Sequence, residues 1–167
     1  FATDSYVDQE VLSSSMHLLW VSKYASTMRA AINYSPSDVF ENFPMPDSTA
    51  RLADLGKMLD HERRGIMARR TLGLTKLYNL VNDPGVGYAA DHDVARLREI
   101  HTEIDTAVMD AYGWGDIPLD HGFHAYRQTT RWTVGPTVRV ELFDRLLSEN
   151  GTAVRVGDSG SQAADAV

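Results

Sequence analysis

The chain has 167 residues, 43% of them hydrophobic, and a formal net charge of −7. That length suits one domain with a sizeable core, and the acidic balance argues against a free-standing DNA-binding domain, which is usually basic. The absence of any apolar run of about 18 residues excludes a membrane-spanning helix, and zero cysteines exclude disulfides and point to the cytoplasm.

The sequence opens on Phe1 rather than Met and has no basic-then-apolar leader, so it reads as a piece of a longer polypeptide. Over residues 8–24, Leu12, Met16, Leu19, Trp20 and Tyr24 share one face at helical spacing, which predicts a helix. Residues 25–34 lose that period and read as a short extended piece. The next window, INYSPSDVFENFPMPD (32–47), holds three of the six prolines, Pro36, Pro44 and Pro46, and three aromatics, Tyr34, Phe40 and Phe43. Proline fixes φ and disfavours helix in the residue before it. Residues 42–46 are therefore expected to be extended, with Phe40, Phe43 and Met45 pinning them onto neighbouring helices. The window is either an ordinary packed connection or a strap that sets the angle between two subdomains.

Asp47 or Ser48 can cap a helix over about 49–70, with Leu52, Leu55, Leu59 and Ile66 as its buried stripe and Gly73 as its expected break. Leu74, Leu77, Tyr78 and Val81 suggest a shorter helix that ends at the turn signal NDPG, 82–85. Asp91 or Asp93 opens a helix over about 92–112 with Val94, Leu97, Ile104, Val108 and Ala111 at 3-and-4 spacing, stopped by YGWGDIP. Residues 119–134 read as irregular, with a short strand at TRWTV (130–134). Pro136 suits the first position of a last helix, about 136–149, expected to bury Val140, Phe143, Leu146 and Leu147. From Gly151 the chain becomes small and polar and reads as a frayed tail. Helices of this length are marginal alone and need partners for their apolar stripes. The expected fold is mainly α: a packed bundle of about four to five helices, an irregular Pro-rich connection and at most short strands.

Residues 63–76 contain five basic residues and no acid, and Arg63 and Arg70 share a helix face. Such a cluster can neutralise phosphates. It can equally pair with residues 91–120, which carry eight acids against two basic residues. Arg69 and Glu62 fall beside the apolar stripe and invite snorkelling or buried pairing. Of the histidines, His121 and His124 in DHGFH have ligand-like spacing but lack a third and fourth partner at recognisable spacing. His101, with Asp105 one turn on, reads as a hydrogen-bonded core histidine. His17, one turn after Ser13, has no orienting acid and makes no triad. The sequence contains no GxGxxG, phosphate loop, CxxC, HExxH or Asn-Pro-Pro-aromatic tetrapeptide. No active site is expected in these residues.

VLSSSMHLLWV (11–21) followed by NYSPSDVFENFPMP (33–46) resembles a signature of large single-chain bacterial DNA methyltransferases, the MmeI-like type II restriction–modification enzymes and related phage-defence methylases. Ser14, Ser15, Met16, His17 and Trp20 match its first half; Tyr34, Ser35, Phe40, Asn42, Phe43, Pro44 and Pro46 match its second. LGLTKLYNLVNDP (72–84), LREIHTEIDTAVMDAYGW (97–114) and HGFH are similar to that family's helical C-terminal region. Met45 stands where the pattern has an aromatic, and the basic stretch before Tyr34 is reduced to Arg29, after Lys23.

The resemblance implies a division of labour. An upstream domain would bind S-adenosylmethionine and methylate a flipped adenine at N6; no cofactor is expected in these residues. Residues 1–46 would be the end of the target-recognition domain and its strap, 47–150 a C-terminal helical domain, and 151–167 the polar tail. Double-stranded DNA would be the partner, with Arg29, Arg63, Arg64, Arg70 and Lys76 on phosphates, Tyr34 near the duplex, and Phe40, Phe43, Pro44 and Pro46 as the structural strap. The rival expectation is a helical docking module that grips a sister domain or defence-system subunit through its acidic helix, without nucleic acid.

Overall fold

The computed structural model describes residues 6–24, 26–28, 31–33, 39–126 and 128–162. Its described elements run α1 (Tyr6–Ser13), α2 (Ser15–Tyr24), β1 (Ser26–Met28), β2 (Ala31–Asn33), α3 (Ala50–Arg70), α4 (Leu74–Val81), α5 (His92–Tyr112), β3 (Gly122–Tyr126), β4 (Thr129–Thr133) and α6 (Pro136–Gln162). The fold is a mainly α bundle with two small antiparallel hairpins, β1–β2 and β3–β4. Among the described residues no helix is long and apolar enough to cross a membrane.

The bundle is built on α3 and α5. Leu52, Leu55, Leu59 and Ile66 of α3 and Val94, Leu97, Ile104 and Val108 of α5 are all buried, as their spacing predicts. One core joins these helices to Met16 and Trp20 of α2 and to Leu142 and Leu146 of α6. Each such side chain contributes roughly 1.5–3 kcal/mol on burial, so the core holds helices that would fray alone. α5 begins where Asp91 accepts the Val94 N–H at 3.2 Å and ends at Gly113, whose φ of +74° a glycine adopts without strain. Its last turn closes through Trp114 N–H to the Met109 carbonyl.

Several expectations are corrected. The helix over 8–24 is two helices, broken at Ser14, and its buried face is Val11, Met16, His17, Trp20 and Val21, with Tyr24 exposed. Thr49, rather than Asp47 or Ser48, caps α3, its hydroxyl accepting the Leu52 N–H. α3 stops at Thr71, in the left-handed region at φ +51°, two residues before Gly73, which instead opens α4. Leu74 is exposed, because α4 meets the core through Leu77 and Val81. α6 presents Leu142 and Leu146 inward and leaves Val140 and Leu147 exposed. Its contact runs along an i, i+4 line, so the buried stripe is rotated from the expected one. α6 also continues past the expected end to Gln162, because Gly151 costs a helix interior only about 1 kcal/mol and does not by itself stop it; Gly157 and Gly160 lie within the same helix. Residues 119–134 contain a full hairpin rather than one strand, with Phe123 opposite Trp132 and His124 opposite Arg131. That hairpin is tied down by Tyr126 Oη donating to the Leu18 carbonyl and by Trp132 N–H donating to Asn82 Oδ1, both at 3.1 Å.

Candidate functional site

Arg29 and Tyr34 lie outside the described residues. The remaining basic candidates occupy different settings. Arg70 donates to both oxygens of Asp91, at 2.7 and 3.0 Å, and lies 3.8 Å from Asp93. Arg69, expected beside the apolar stripe, is solvent-facing and donates to Asp93 at 2.7 Å. Both arginines therefore bind the first turn of α5. Arg64 is exposed and pairs with Asp60 one turn before it. The half-buried Arg63 lies beside the Tyr78 hydroxyl, where its charge opposes the upward push that burial gives that phenol. Lys76 is exposed on α4 and has no partner among the described residues.

The two halves of the motif meet. Val39 and Phe43 are buried, and the rings of His17 and Trp20 both stand edge-on to Phe43, at centroid distances of 5.2 and 5.9 Å. A turn closes from Phe43 N–H to the Phe40 carbonyl, after which the chain runs without helix or strand to Thr49. Tyr112 Oη donates to the Pro44 carbonyl and Asn150 Nδ2 to the Asn42 carbonyl, so α5 and α6 clasp the segment from the other side. Phe40 is half-buried, and so are Pro44 and Pro46. Met45, expected to help pin the segment, is 37% exposed. Buried Val39 and Phe43 and the backbone carbonyls of Asn42 and Pro44 hold the segment, and Phe40 is engaged as well.

Below this contact, α5 carries a polar line inside its buried face: Arg98, His101 and Asp105, at i, i+3 and i+7. Asp105 is 2% exposed and accepts three hydrogen bonds: Ser15 N–H at 2.7 Å, Ser15 Oγ at 2.6 Å and His121 Nε2 at 2.8 Å. His101 Nε2 meets Tyr78 Oη at 2.8 Å, and burial pushes its pKa down to about 4, so the ring is neutral at pH 7. His17 is also pushed down to about 4 by burial, with Nδ1 3.2 Å from the Leu12 carbonyl. The three imidazoles line one cavity of about 200 Å³. Among the described residues no three His, Asp or Glu side chains converge to hold a metal ion. The arrangement is also not a nucleophile triad, because Ser15 and His121 both address the carboxylate rather than one another.

Arg98 is 6% exposed, and sequence reasoning passed over it. Its guanidinium donates to the carbonyls of Leu80, Val81, Asp83 and Val86 at 2.6–3.2 Å and stacks 4.7 Å from the Phe123 ring. It thus closes the NDPG turn and floors a second, apolar cavity of about 500 Å³ between α5, residues 86–88 and the β3–β4 hairpin. The available signal was its position: a charged residue between buried Leu97 and Ile100, directly before His101 and Asp105 in the same line.

No family model, curated protein or solved structure matches this chain.

Proposed function

We propose that this chain is a non-catalytic recognition and positioning portion of a bacterial adenine-N6 DNA methyltransferase of the restriction–modification or phage-defence kind. One observation carries the reading: described residues of the two motif halves that resemble that family pack together, with His17 and Trp20 closing on Phe43. A segment fixed by an aromatic anchor and by hydrogen bonds from both α5 and α6 is stiff. Stiffness suits a join that keeps a DNA-reading surface at a set distance from the helices, since small positional errors are costly to a reaction performed elsewhere. S-adenosylmethionine and the flipped adenine belong to an upstream domain. These residues supply phosphate contacts and register.

Within the basic stretch, Lys76 and Arg64 are the candidates best placed for phosphate: both are exposed, and among the described residues Arg64 has only an exposed one-turn pair with Asp60, whereas the half-buried Arg70 is held by Asp91 and Arg63 sits against Tyr78. The test is a Lys76→Glu, Arg64→Glu double variant in the parent polypeptide, with duplex affinity measured at several salt concentrations. Loss of two phosphate contacts should lower the slope of log K against log salt by about 2. Unchanged affinity and slope would sink the assignment, and a parent polypeptide lacking a methyl-transferring domain would sink the whole reading. The rival docking-module reading draws on Val140 and Leu147, 65% and 39% exposed one heptad apart on α6. The acidic first turn of α5 does not favour it, because Arg69 and Arg70 already occupy Asp91 and Asp93.

A further inference from the structure

We infer that the cavity of about 500 Å³ between α5, residues 86–88 and the β3–β4 hairpin binds an arylalkylamine, with a bicyclic aromatic ring inside and a protonated amine at the mouth on Glu103. The inference is independent of the methyltransferase reading. It rests on an apolar, aromatic hollow and on which of the charges around it are already paired.

Val86 and Tyr88 supply one wall, Ala95 the helix wall, and Phe123 and Trp132 the hairpin wall, with those two rings edge-to-face at a centroid distance of 5.2 Å. An aromatic ligand entering there meets ring surfaces that favour stacked or edge-on partners. The volume falls in the range of small-molecule sites and is about three times the ~150 Å³ that holds benzene, so a bicyclic ring with a short chain fits.

Three charged side chains among the described residues line the cavity, Arg98, Glu99 and Glu103, and they are not equivalent. The buried Arg98 guanidinium is held by four backbone carbonyls and covered by the Phe123 ring, so its charge is already met by protein dipoles. Glu99 engages both oxygens, one with the Tyr88 hydroxyl at 2.8 Å and one with Arg96 Nη1 at 3.2 Å. Glu103 does not. Its Oε1 shares the same Arg96 nitrogen at 3.4 Å, while Arg96 Nη2 donates to the Met58 sulfur at 3.0 Å. Glu103 Oε2 has no hydrogen-bond partner among the described residues, and the side chain is 44% exposed, which puts it at the mouth. An ammonium group there gains a carboxylate oxygen that the protein leaves open. A ligand carboxylate would face two carboxylates, and an uncharged ring would leave Glu103 unanswered.

The probes are tryptamine, its uncharged hydroxyl counterpart tryptophol, and indole-3-propionate, titrated into the intact chain at neutral pH while the backbone amide resonances are followed. Saturable shifts are expected at residues 86–88, 123 and 132. Tryptamine should bind about fivefold more tightly than tryptophol, the effect of one partly exposed ion pair, and indole-3-propionate most weakly. That preference should shrink with added salt. Glu103→Gln, at a half-exposed position, should bring tryptamine down to the tryptophol level and leave tryptophol unchanged. Thr102→Trp, which fills the cavity from α5, should abolish the shifts; should that variant unfold, the Glu103→Gln comparison still decides. Absence of saturable shifts at those residues, equal binding of tryptamine and tryptophol, or a tryptamine preference that survives Glu103→Gln would each overturn the proposal.

Discussion

Asp105 accepts the backbone N–H of Ser15 across 90 residues of sequence, at 2.7 Å, and the Ser15 hydroxyl at 2.6 Å. This bond takes the place of a continuing helical bond and explains the break between α1 and α2. Ser14 completes the junction: its hydroxyl donates to the Val11 carbonyl and accepts the His17 N–H, the geometry of a helix N-cap. Replacing Asp105 with Ala would strand Ser15 and His121 in the interior. A loss of roughly 2–4 kcal/mol is expected, the scale of a broken buried network. Urea unfolding measures it. A loss below about 1 kcal/mol would show that the carboxylate is dispensable to the junction.

The same junction shows where sequence reading stops. α3 and α5 were legible because their stripes, and for α5 the opening cap, are local: Asp91 precedes the first periodic residue, and Leu52, Leu55 and Leu59 repeat at helical spacing. Nothing local to residues 8–24 reveals a partner at Asp105, so the pair of helices reads as one. The rotation of α6 has a similar origin. Its candidate stripes are both apolar, and only the surface formed by Trp20 and its neighbours selects Leu142 and Leu146 over Val140 and Leu147. β3 was missed because GFHAY is short, half-buried and weakly alternating. At the site, His101 was legible as a core histidine. Arg98 was not, because a charged residue in an α-helix ordinarily signals a solvated face, and its four carbonyl partners lie at the end of α4 and in the loop that follows it.

Thr71 closes α3 in the left-handed conformation at φ +51°, with Leu72 N–H bonded to the Met67 carbonyl. A β-branched residue pays roughly 1–2 kcal/mol for that conformation. Glycine adopts it freely but gives back roughly 0.5–1 kcal/mol in unfolded-chain entropy. Thr71→Gly should therefore raise stability by roughly 0.5–1 kcal/mol. Thermal or urea unfolding decides the matter, and a destabilised variant would mean that the Thr71 side chain has an unrecognised role.

Arg98 holds the 80–86 segment through four backbone carbonyls and covers the Phe123 ring. Lysine keeps the charge but lacks the planar fork needed to reach all four. Arg98→Lys should cost roughly 2–4 kcal/mol. It should also accelerate amide exchange over residues 83–88 more than at the centre of α5. Uniform acceleration across the chain would instead indicate a purely global loss.

The buried titratable groups set the pH profile. Glu10 is fully buried and both its carboxyl oxygens lack a hydrogen-bond partner among the described residues; the Gly56 backbone N–H approaches without completing a bond, and Arg51 gives distant support. Burial raises its pKa from 4.5 to about 8. Between those values the unfolded chain is ionised there and the folded chain is protonated, so stability falls as pH rises, by about 1.4 kcal/mol per unit. His17 and His101 act oppositely. Burial lowers each from 6.5 to about 4, so in that window only the unfolded chain holds the proton and stability rises with pH. Two histidines outweigh one carboxyl below pH 6.5, and the carboxyl acts alone above it. These groups together predict a maximum near pH 6.5, with a fall toward pH 8 that is specific to Glu10. Glu10→Gln should remove that alkaline fall and leave the acid limb intact. Urea unfolding at intervals from pH 4 to 9 tests it, and a variant that still lost stability between pH 6.5 and 8 would place the alkaline titration elsewhere.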